Sequence, residues 1–305
     1  MISLSINEIL NEVPGSKVYF LVLAFLFGMC MGSFLNCAAW RIVHGESVMK
    51  GRSHCAVCNH PLGLADLVPL FSYIFLHGKC RYCGEKIAAR YLIAEIVSGA
   101  VFLSIVWKFG LSLATLQWLV LGSVLLCISF ADLEDYLVPD RLIVIGIVTR
   151  LVFAPFLSQE VWWKTYINVL IGGLAVALPL LIFVIIADKV MGRETMGGGD
   201  IKIIFMVGLY FRWQESLLIM IMACIIGMIF AVIGKKIMIQ KDLKELQEKQ
   251  QMEEVGETVE TEELSDSEVL MRGGLIPFGP SIACAAWIAL FVAQTVVNWY
   301  SGLFS

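Results

Sequence analysis

The sequence is short of charge. Asp, Glu, Lys and Arg make up 16% of its 305 residues, where a soluble domain carries ~25%. The shortage is uneven: residues 41 to 90 hold 10 of the 48 charges and residues 235 to 273 hold 17, leaving 21 for the other 216 residues. Apolar side chains fill the gap at 59%, with 26 glycines besides, well above the ~45–50% of a globular chain counted with its glycine. That balance excludes an ordinary cytosolic enzyme, a disordered chain and a secreted disulfide scaffold. Other absences narrow the field further. No HExxH, GxSxG or glycine-rich nucleotide fingerprint occurs, and no internal repeat is evident. No secretory signal is expected, because the first apolar core begins after 17 residues that include Glu8 and Glu12 and meets no small-residue cleavage site before Arg41. The net charge of −4 comes mainly from the stretch 235 to 273, and no nucleic-acid partner is expected.

What is present is a series of uncharged apolar runs. A helix needs about 20 such residues to cross a ~30 Å hydrocarbon core. Val18 to Trp40, Phe109 to Ala131, Thr165 to Ala187 and Gly273 to Ser305 qualify outright. Ser216 to Gly234 is a fifth, and Tyr91 to Trp107 a sixth if Glu95 sits near the headgroups. Leu142 to Leu157 is weaker because Arg150 interrupts it, and Ile203 to Phe211 is too short to span alone. The loop after the first run carries Arg41, Lys50, Arg52, Lys79, Arg81, Lys86 and Arg90 against Glu46, Asp66 and Glu85, so the positive-inside rule places it in the cytoplasm. Basic residues around 188 to 202 and at Lys235 and Lys236 demand a short span between them. The expected fold is an all-α polytopic membrane protein of about eight transmembrane helices with a small cytoplasmic zinc-ribbon-like loop. Five segments follow: 1–40, the N-terminal segment and first helix; 41–90, the loop; 91–234, the membrane core; 235–273, an acidic cytoplasmic loop; and 274–305, the last helix. The acidic segment reads as a solvated helix or a tether.

Nine cysteines fall into two sets. Cys30, Cys37, Cys127, Cys224 and Cys284 lie in apolar spans, where a free thiol packs as a small hydrophobe. Cys55, Cys58, Cys80 and Cys83 form two CxxC pairs, the spacing of a tetrahedral zinc ribbon. Two disulfides are the alternative, but a cytoplasmic loop is reducing. Four thiolates leave no open coordination position, so such a zinc is structural. All four histidines, His44, His54, His60 and His77, share this loop. His54 and His60 flank the first pair and could replace a thiolate; the other expectation is that they face solvent.

Acidic residues next to membrane spans are functional candidates. Asp132, Glu134, Asp135 and Asp140 cluster after the third run, and Asp200 follows Gly197, Gly198 and Gly199. Both clusters fall on the cytoplasmic side, so Asp132 and Asp200 can converge. Two carboxylates sharing a site repel, so one stays protonated while the other ionises; the ionised one can take a proton from water while its partner polarises a carbonyl. The glycines let the backbone turn sharply and approach a bound strand. Taken singly, each acid can equally be a solvated helix end: Asp140 fits an N-cap of the fourth helix, and Glu134 and Asp135 a wet turn.

The ordered motifs resemble the type IV prepilin leader peptidases. They are Gly32-Ser-Phe-Leu-Asn-Cys-Ala-Ala-Trp-Arg41, Val68-Pro-Leu-Phe-Ser-Tyr73, Gly78-Lys-Cys-Arg-Tyr-Cys-Gly84, Arg90-Tyr-Leu-Ile-Ala-Glu95, Asp132 through Pro139-Asp140, Gly197-x-Gly-Asp200-x-Lys202 and Pro277-Phe-Gly-Pro280. The resemblance covers most of residues 28 to 300. It implies a GxGD aspartic endopeptidase of the bacterial inner membrane, with Asp132 and Asp200 as the catalytic pair. The implied substrate is a prepilin or pseudopilin with a basic cytoplasmic leader, cut after a Gly. It further implies N-methylation of the new terminus with S-adenosylmethionine, associated with the first cytoplasmic loop, where Gly78 matches a family glycine. Alternatives are a peptidase alone, another GxGD protease, or a non-enzymatic zinc-ribbon adaptor. The length of the 235 to 270 insertion and Arg150 within the fourth span depart from the family pattern.

Overall fold

The computed structural model describes residues 16–48, 51, 53–55, 57–192, 195–255 and 277–303, without the side chains of 16, 64, 67 and 235–255. The described residues form eight helices of more than ten residues: α1 (Ser16–Val43), α2 (Ala89–Phe109), α3 (Leu113–Asp135), α4 (Asp140–Leu157), α5 (Trp162–Met191), α6 (Gly198–Gly208), α7 (Trp213–Val255) and α8 (Gly279–Gly302). The loop between α1 and α2 holds a 3₁₀ turn at Leu64–Leu67 and a one-turn helix at Phe71–Phe75. Among the described residues there is no strand, only two isolated antiparallel bridges, His54 with Pro61 and Lys79 with Lys86. The all-α polytopic architecture is as expected. Of the acidic segment 235–273, the part to Val255 continues α7 as helix, and the rest lies outside the described residues.

Among the described residues, six helices are long and apolar enough to cross a bilayer: α1, α2, α3, α5, the first half of α7 (Trp213–Gly234) and α8. The two others are those the sequence marked as weak. Helix α4 carries Arg141 and Arg150 within its 18 residues. Helix α6 has 11 residues, roughly 16 Å, about half a hydrocarbon core. Its C-terminal carbonyls would therefore be stranded at depth, where each unsatisfied polar group costs several kcal/mol. Arg150 resolves this. Its Nε donates to Leu209 O at 2.9 Å and its Nη1 to Gln117 Oε1 at 3.2 Å, a cation at a helix C-terminus. Tyr210, under the guanidinium, donates its hydroxyl to Gly146 O at 2.7 Å. The charge that interrupts a span in sequence thus caps a half-length helix in the fold.

Two buried cores share α3. Leu121, Val124, Leu125 and Ile128 pack with α4 to α8, while Leu126, Cys127 and Ala131 pack with Leu35, Ala38, Ala39 and Phe102 of α1 and α2. Lipid is as apolar as leucine, so helix contacts in a bilayer rely on small residues and close fit. Gly28 and Gly32 of α1 meet this need: a Cβ on Gly28 would lie 2.8 Å from Ser98 O, and one on Gly32 2.6 Å from Ser98 Cβ. Packing describes Cys127, which is buried, whereas Cys30 and Cys224 stand on the outer surface of the bundle.

Candidate active site and metal centre

Asp132 sits in the last turn of α3, 4% exposed. Its Oδ2 accepts the backbone N–H of Gly279 at 2.8 Å. Gly279 opens α8, so this amide is one of the donors that a helix start leaves unsatisfied, and the carboxylate meets the positive end of the α8 dipole. The contact leaves no room for a side chain: a Cβ on Gly279 would lie 2.8 Å from Oδ2. Asp200 is half-buried in the first turn of α6, whose N-cap is Gly197. It lies within electrostatic reach of Asp132. Each carboxylate therefore stands at a helix N-terminus, and α8 packs against both α3 and α6, the helices that carry them.

None of Gly197, Gly198 and Gly199 has a positive φ, and Gly199 makes room for Val138 of the α3–α4 connection, whose Cβ would lie 2.8 Å from a Cβ at 199. Two local expectations need correction. Asp140 is not the N-cap of α4; Pro139 is, and Asp140 accepts from Lys202 Nζ at 2.6 Å, tying the starts of α4 and α6. Glu134 is no wet turn residue, because it pairs with Arg90 Nη1 at 2.8 Å. Gly279 is the contributor that sequence reasoning missed; Pro277-Phe-Gly-Pro280 was visible as a motif, but nothing in it names Asp132 as its partner.

The structure brings Cys55, Cys58, Cys80 and Cys83 together, with all four sulfurs within 4.8 Å of one another and Cys55 Sγ 3.9 Å from Cys83 Sγ. Tetrahedral bonds of ~2.3 Å set sulfurs ~3.8 Å apart, so the cluster fits zinc. Backbone geometry prepares it. Cys55 N–H donates to His60 O and Cys80 N–H to Glu85 O, while Asn59 and Gly84 donate to Cys55 O and Cys80 O. Asn59 and Gly84 take the left-handed conformation, with φ of 54° and 75°. The same knuckle therefore occurs twice at an offset of 25 residues, a repeat hidden in sequence because the two copies share little beyond their cysteines. Amides of Cys58 and Val57 draw the Cys55 thiol down to about 6. Near Cys83 the Glu85 amide works the same way, but burial and hydrogen bonds shared with the other three thiols prevail and push it up to about 12. The Cys55 thiolate thus forms readily, whereas the Cys83 thiol keeps its proton until a cation displaces it.

Asp66 clips the two knuckles. Arg81 Nε lies 2.7 Å from its Oδ1, and Tyr82 Oη and the Gly63 amide donate to Oδ2. Burial raises this carboxyl, but the Gly63 amide, the Tyr82 hydroxyl and Arg81 together hold it below the usual carboxylate range. The four histidines are exposed; His60 lies against the Tyr82 ring, with centroids 3.7 Å apart. Gly78, with φ 68°, sits where a Cβ would come 2.9 Å from Tyr73 Oη.

Fold and site together define a polytopic helical membrane protein with a paired-aspartate site and a separate four-cysteine loop. Within that class the chain belongs to the type IV leader peptidase family. Residues 26–109 match the bacterial peptidase A24 N-terminal domain, and residues 119–232 match the type IV leader peptidase family itself. Among similar proteins, a "Prepilin leader peptidase/N-methyltransferase" of Myxococcus xanthus (strain DK1622) is 31% identical over 70% of this chain and 62% of its own length. One of Bacillus subtilis (strain 168) is 32% identical over 62% of this chain and 72% of its own. One of Aeromonas hydrophila is 26% identical over 96% and 97%. No solved structure gives a significant match.

Proposed function

We propose that this protein is a membrane aspartic endopeptidase that removes the leader of type IV prepilins or pseudopilins after a Gly, and that it N-methylates the new terminus with S-adenosylmethionine. Family membership and the names of the relatives support both halves. The observation that carries the peptidase assignment is the buried Asp132, fixed by the Gly279 amide and within reach of Asp200.

In this reading Asp132 and Asp200 share one proton. The ionised carboxylate takes a proton from water as its oxygen attacks the scissile carbonyl, and the protonated partner donates to the carbonyl oxygen. The C–N bond then breaks, the leaving amine takes a proton, and the pair returns to one shared proton. Cys55, Cys58, Cys80 and Cys83 would hold a structural zinc, which supplies rigidity to the loop. The basic residues of that loop support a cytoplasmic side for it and for the two aspartates in a bacterial inner membrane, where the basic leader would lie. Segments 41–90 and 91–234 then divide the work, the first for zinc and methyl transfer and the second for proteolysis.

The test is cleavage of a prepilin by the full chain in lipid. Asp132→Ala and Asp200→Ala should each abolish it while the protein still inserts. Full activity in both variants would leave a zinc-ribbon adaptor.

A further inference from the structure

The motif Val68-Pro-Leu-Phe-Ser-Tyr73 supplies neither a thiolate nor a catalytic carboxylate, yet its backbone is strained. Leu70 has φ 62° and ψ −51°, and the Phe71 N–H donates to Pro69 O at 2.6 Å. That is a three-residue γ-turn of the rare hand, in a region of φ that a bulky side chain seldom enters. Helix α2 holds it there, because the Leu70 N–H donates to Glu95 Oε2 at 2.9 Å. Strained backbone persists only where its surroundings over-determine it, and it clusters in segments with a task.

The turn opens the one-turn helix Phe71–Phe75, whose two faces differ. Tyr73 turns into the loop: its hydroxyl donates to Ile87 O at 3.4 Å and its ring fills the space beside Gly78. Ser72 and Leu76 share with Tyr73 the wall of a cavity beneath the loop. Phe71, Ile74 and Phe75 have i, i+3, i+4 spacing and so share the other face. That face is bare, with Ile74 58% and Phe75 77% exposed, and Val68 is exposed beside it. Four large apolar side chains within eight residues make a patch that calls for a cover.

We propose that residues 68–75 are an interfacial wedge that seats the four-cysteine loop on lipid, with Phe71, Ile74 and Phe75 in the boundary between headgroups and acyl chains. The depth fits. Glu95 lies six residues into the spanning helix α2, ~9 Å along its axis, and interfacial apolar faces sink ~5–10 Å. Ile93, Ile96 and Val97, on either side of Glu95, are themselves exposed on α2, so the lipid-facing surface of the bundle reaches the point where the wedge is tied. Charge agrees with apolarity. Lys79 and Lys86 lie opposite one another across an antiparallel bridge, both exposed. Like charges so placed repel, and the phosphates of an anionic leaflet would relieve them.

The apolar helix of a substrate would match the same patch in chemistry, but not in position. Tyr73 lines its cavity together with Phe130 and Glu134 of α3, two residues on one helix face. Asp132 stands about 200° round that helix and holds Gly279 on the other side. The wedge therefore lies across α3 from the aspartate site, beside lipid-facing α2, and lipid is the occupant that the placement favours.

The test uses the full chain in nanodiscs of phosphatidylcholine and phosphatidylglycerol. A photoreactive benzoylphenylalanine placed at position 75, or in a second variant at position 74, should form adducts with lipid, and added prepilin should not displace them, as mass spectrometry would show. Phe75→Ala supplies an independent readout. A ring 77% exposed within the protein stabilises nothing unless something else covers it, so a purely structural role in the loop predicts no change. With lipid as the cover, hydrogen exchange across residues 68–76 should quicken about tenfold or more, the equilibrium worth of one buried phenyl ring, while the amides of α2 keep their protection. Unchanged exchange in Phe75→Ala would overturn the proposal. So would the absence of lipid adducts, or adducts formed with prepilin or with a second copy of the chain in their place.

Discussion

The four-cysteine loop and the aspartate site are built in opposite ways. Every ligand of the loop lies between Cys55 and Cys83, and two copies of one knuckle supply them. The aspartate site joins Asp132 to an amide 147 positions away and adds Asp200 from a third helix. A local site can be written into spacing and turn chemistry; a distributed one exists only once the helices have packed. The loop should accordingly depend on metal and local backbone, and the aspartate site on helix packing.

The sharpest way to break this contrast is to remove one side of it. Asp132→Ala or Asp200→Ala should reduce cleavage by at least the ~10²–10⁴-fold worth of general acid–base catalysis. Zinc content should stay at about one per chain, as elemental analysis would show. A chain that lost its zinc as well would mean that the two regions fold as one.

Removing the metal tests the reverse. Structural zinc contributes roughly 10–16 kcal/mol of apparent binding free energy in small zinc modules, so chelation or Cys80→Ser should unfold the loop. Hydrogen exchange across 53–88 should rise to near the unfolded rate, while amides of α3 and α6 keep their protection.

Gly279→Ala is a finer probe. A Cβ there meets Asp132 Oδ2 at 2.8 Å, so Asp132 must shift, and a misplacement of about 1 Å costs on the order of 10²-fold in rate. Cleavage should fall by that order with thermal stability and zinc little changed; wild-type turnover would show that the Gly279 contact does not position Asp132.

The smallest effect belongs to Asp66. Its carboxyl is held below its ordinary range, so it stabilises the loop at neutral pH and that contribution fades as pH falls below ~4. Arg81 is half-exposed, which keeps the pair at about 1 kcal/mol or less. Asp66→Asn should lower loop stability by that amount at pH 7 and by progressively less as the pH falls below ~4, as hydrogen exchange of the loop amides would show.

The helical membrane body was legible in the sequence because apolar runs and clustered charges are counted directly along the chain. So was the proximity of the four cysteines, because CxxC spacing places two sulfurs side by side. Arg150 was legible only as an anomaly; its role depends on α6 ending inside the membrane beside it. The glycines before Asp200 were legible as a motif, but that Gly199 makes room for Val138 depends on how the α3–α4 connection packs against α6. The duplicated knuckle escaped notice because backbone hydrogen bonds and left-handed residues carry it, not side-chain identity.

By itself, the sequence determined that this is a polytopic membrane protein, marked its long apolar runs and the two weak ones, and named the six residues on which the proposed function rests. Composition and spacing act over neighbouring residues and need no fold to be read. Only the tertiary structure decided that Asp132 is gripped by the start of α8, that Arg150 caps a half-length helix, and that the two CxxC pairs adopt one backbone knuckle. Those facts depend on which helix faces meet, and close packing between segments far apart in the chain leaves no periodic mark in the sequence.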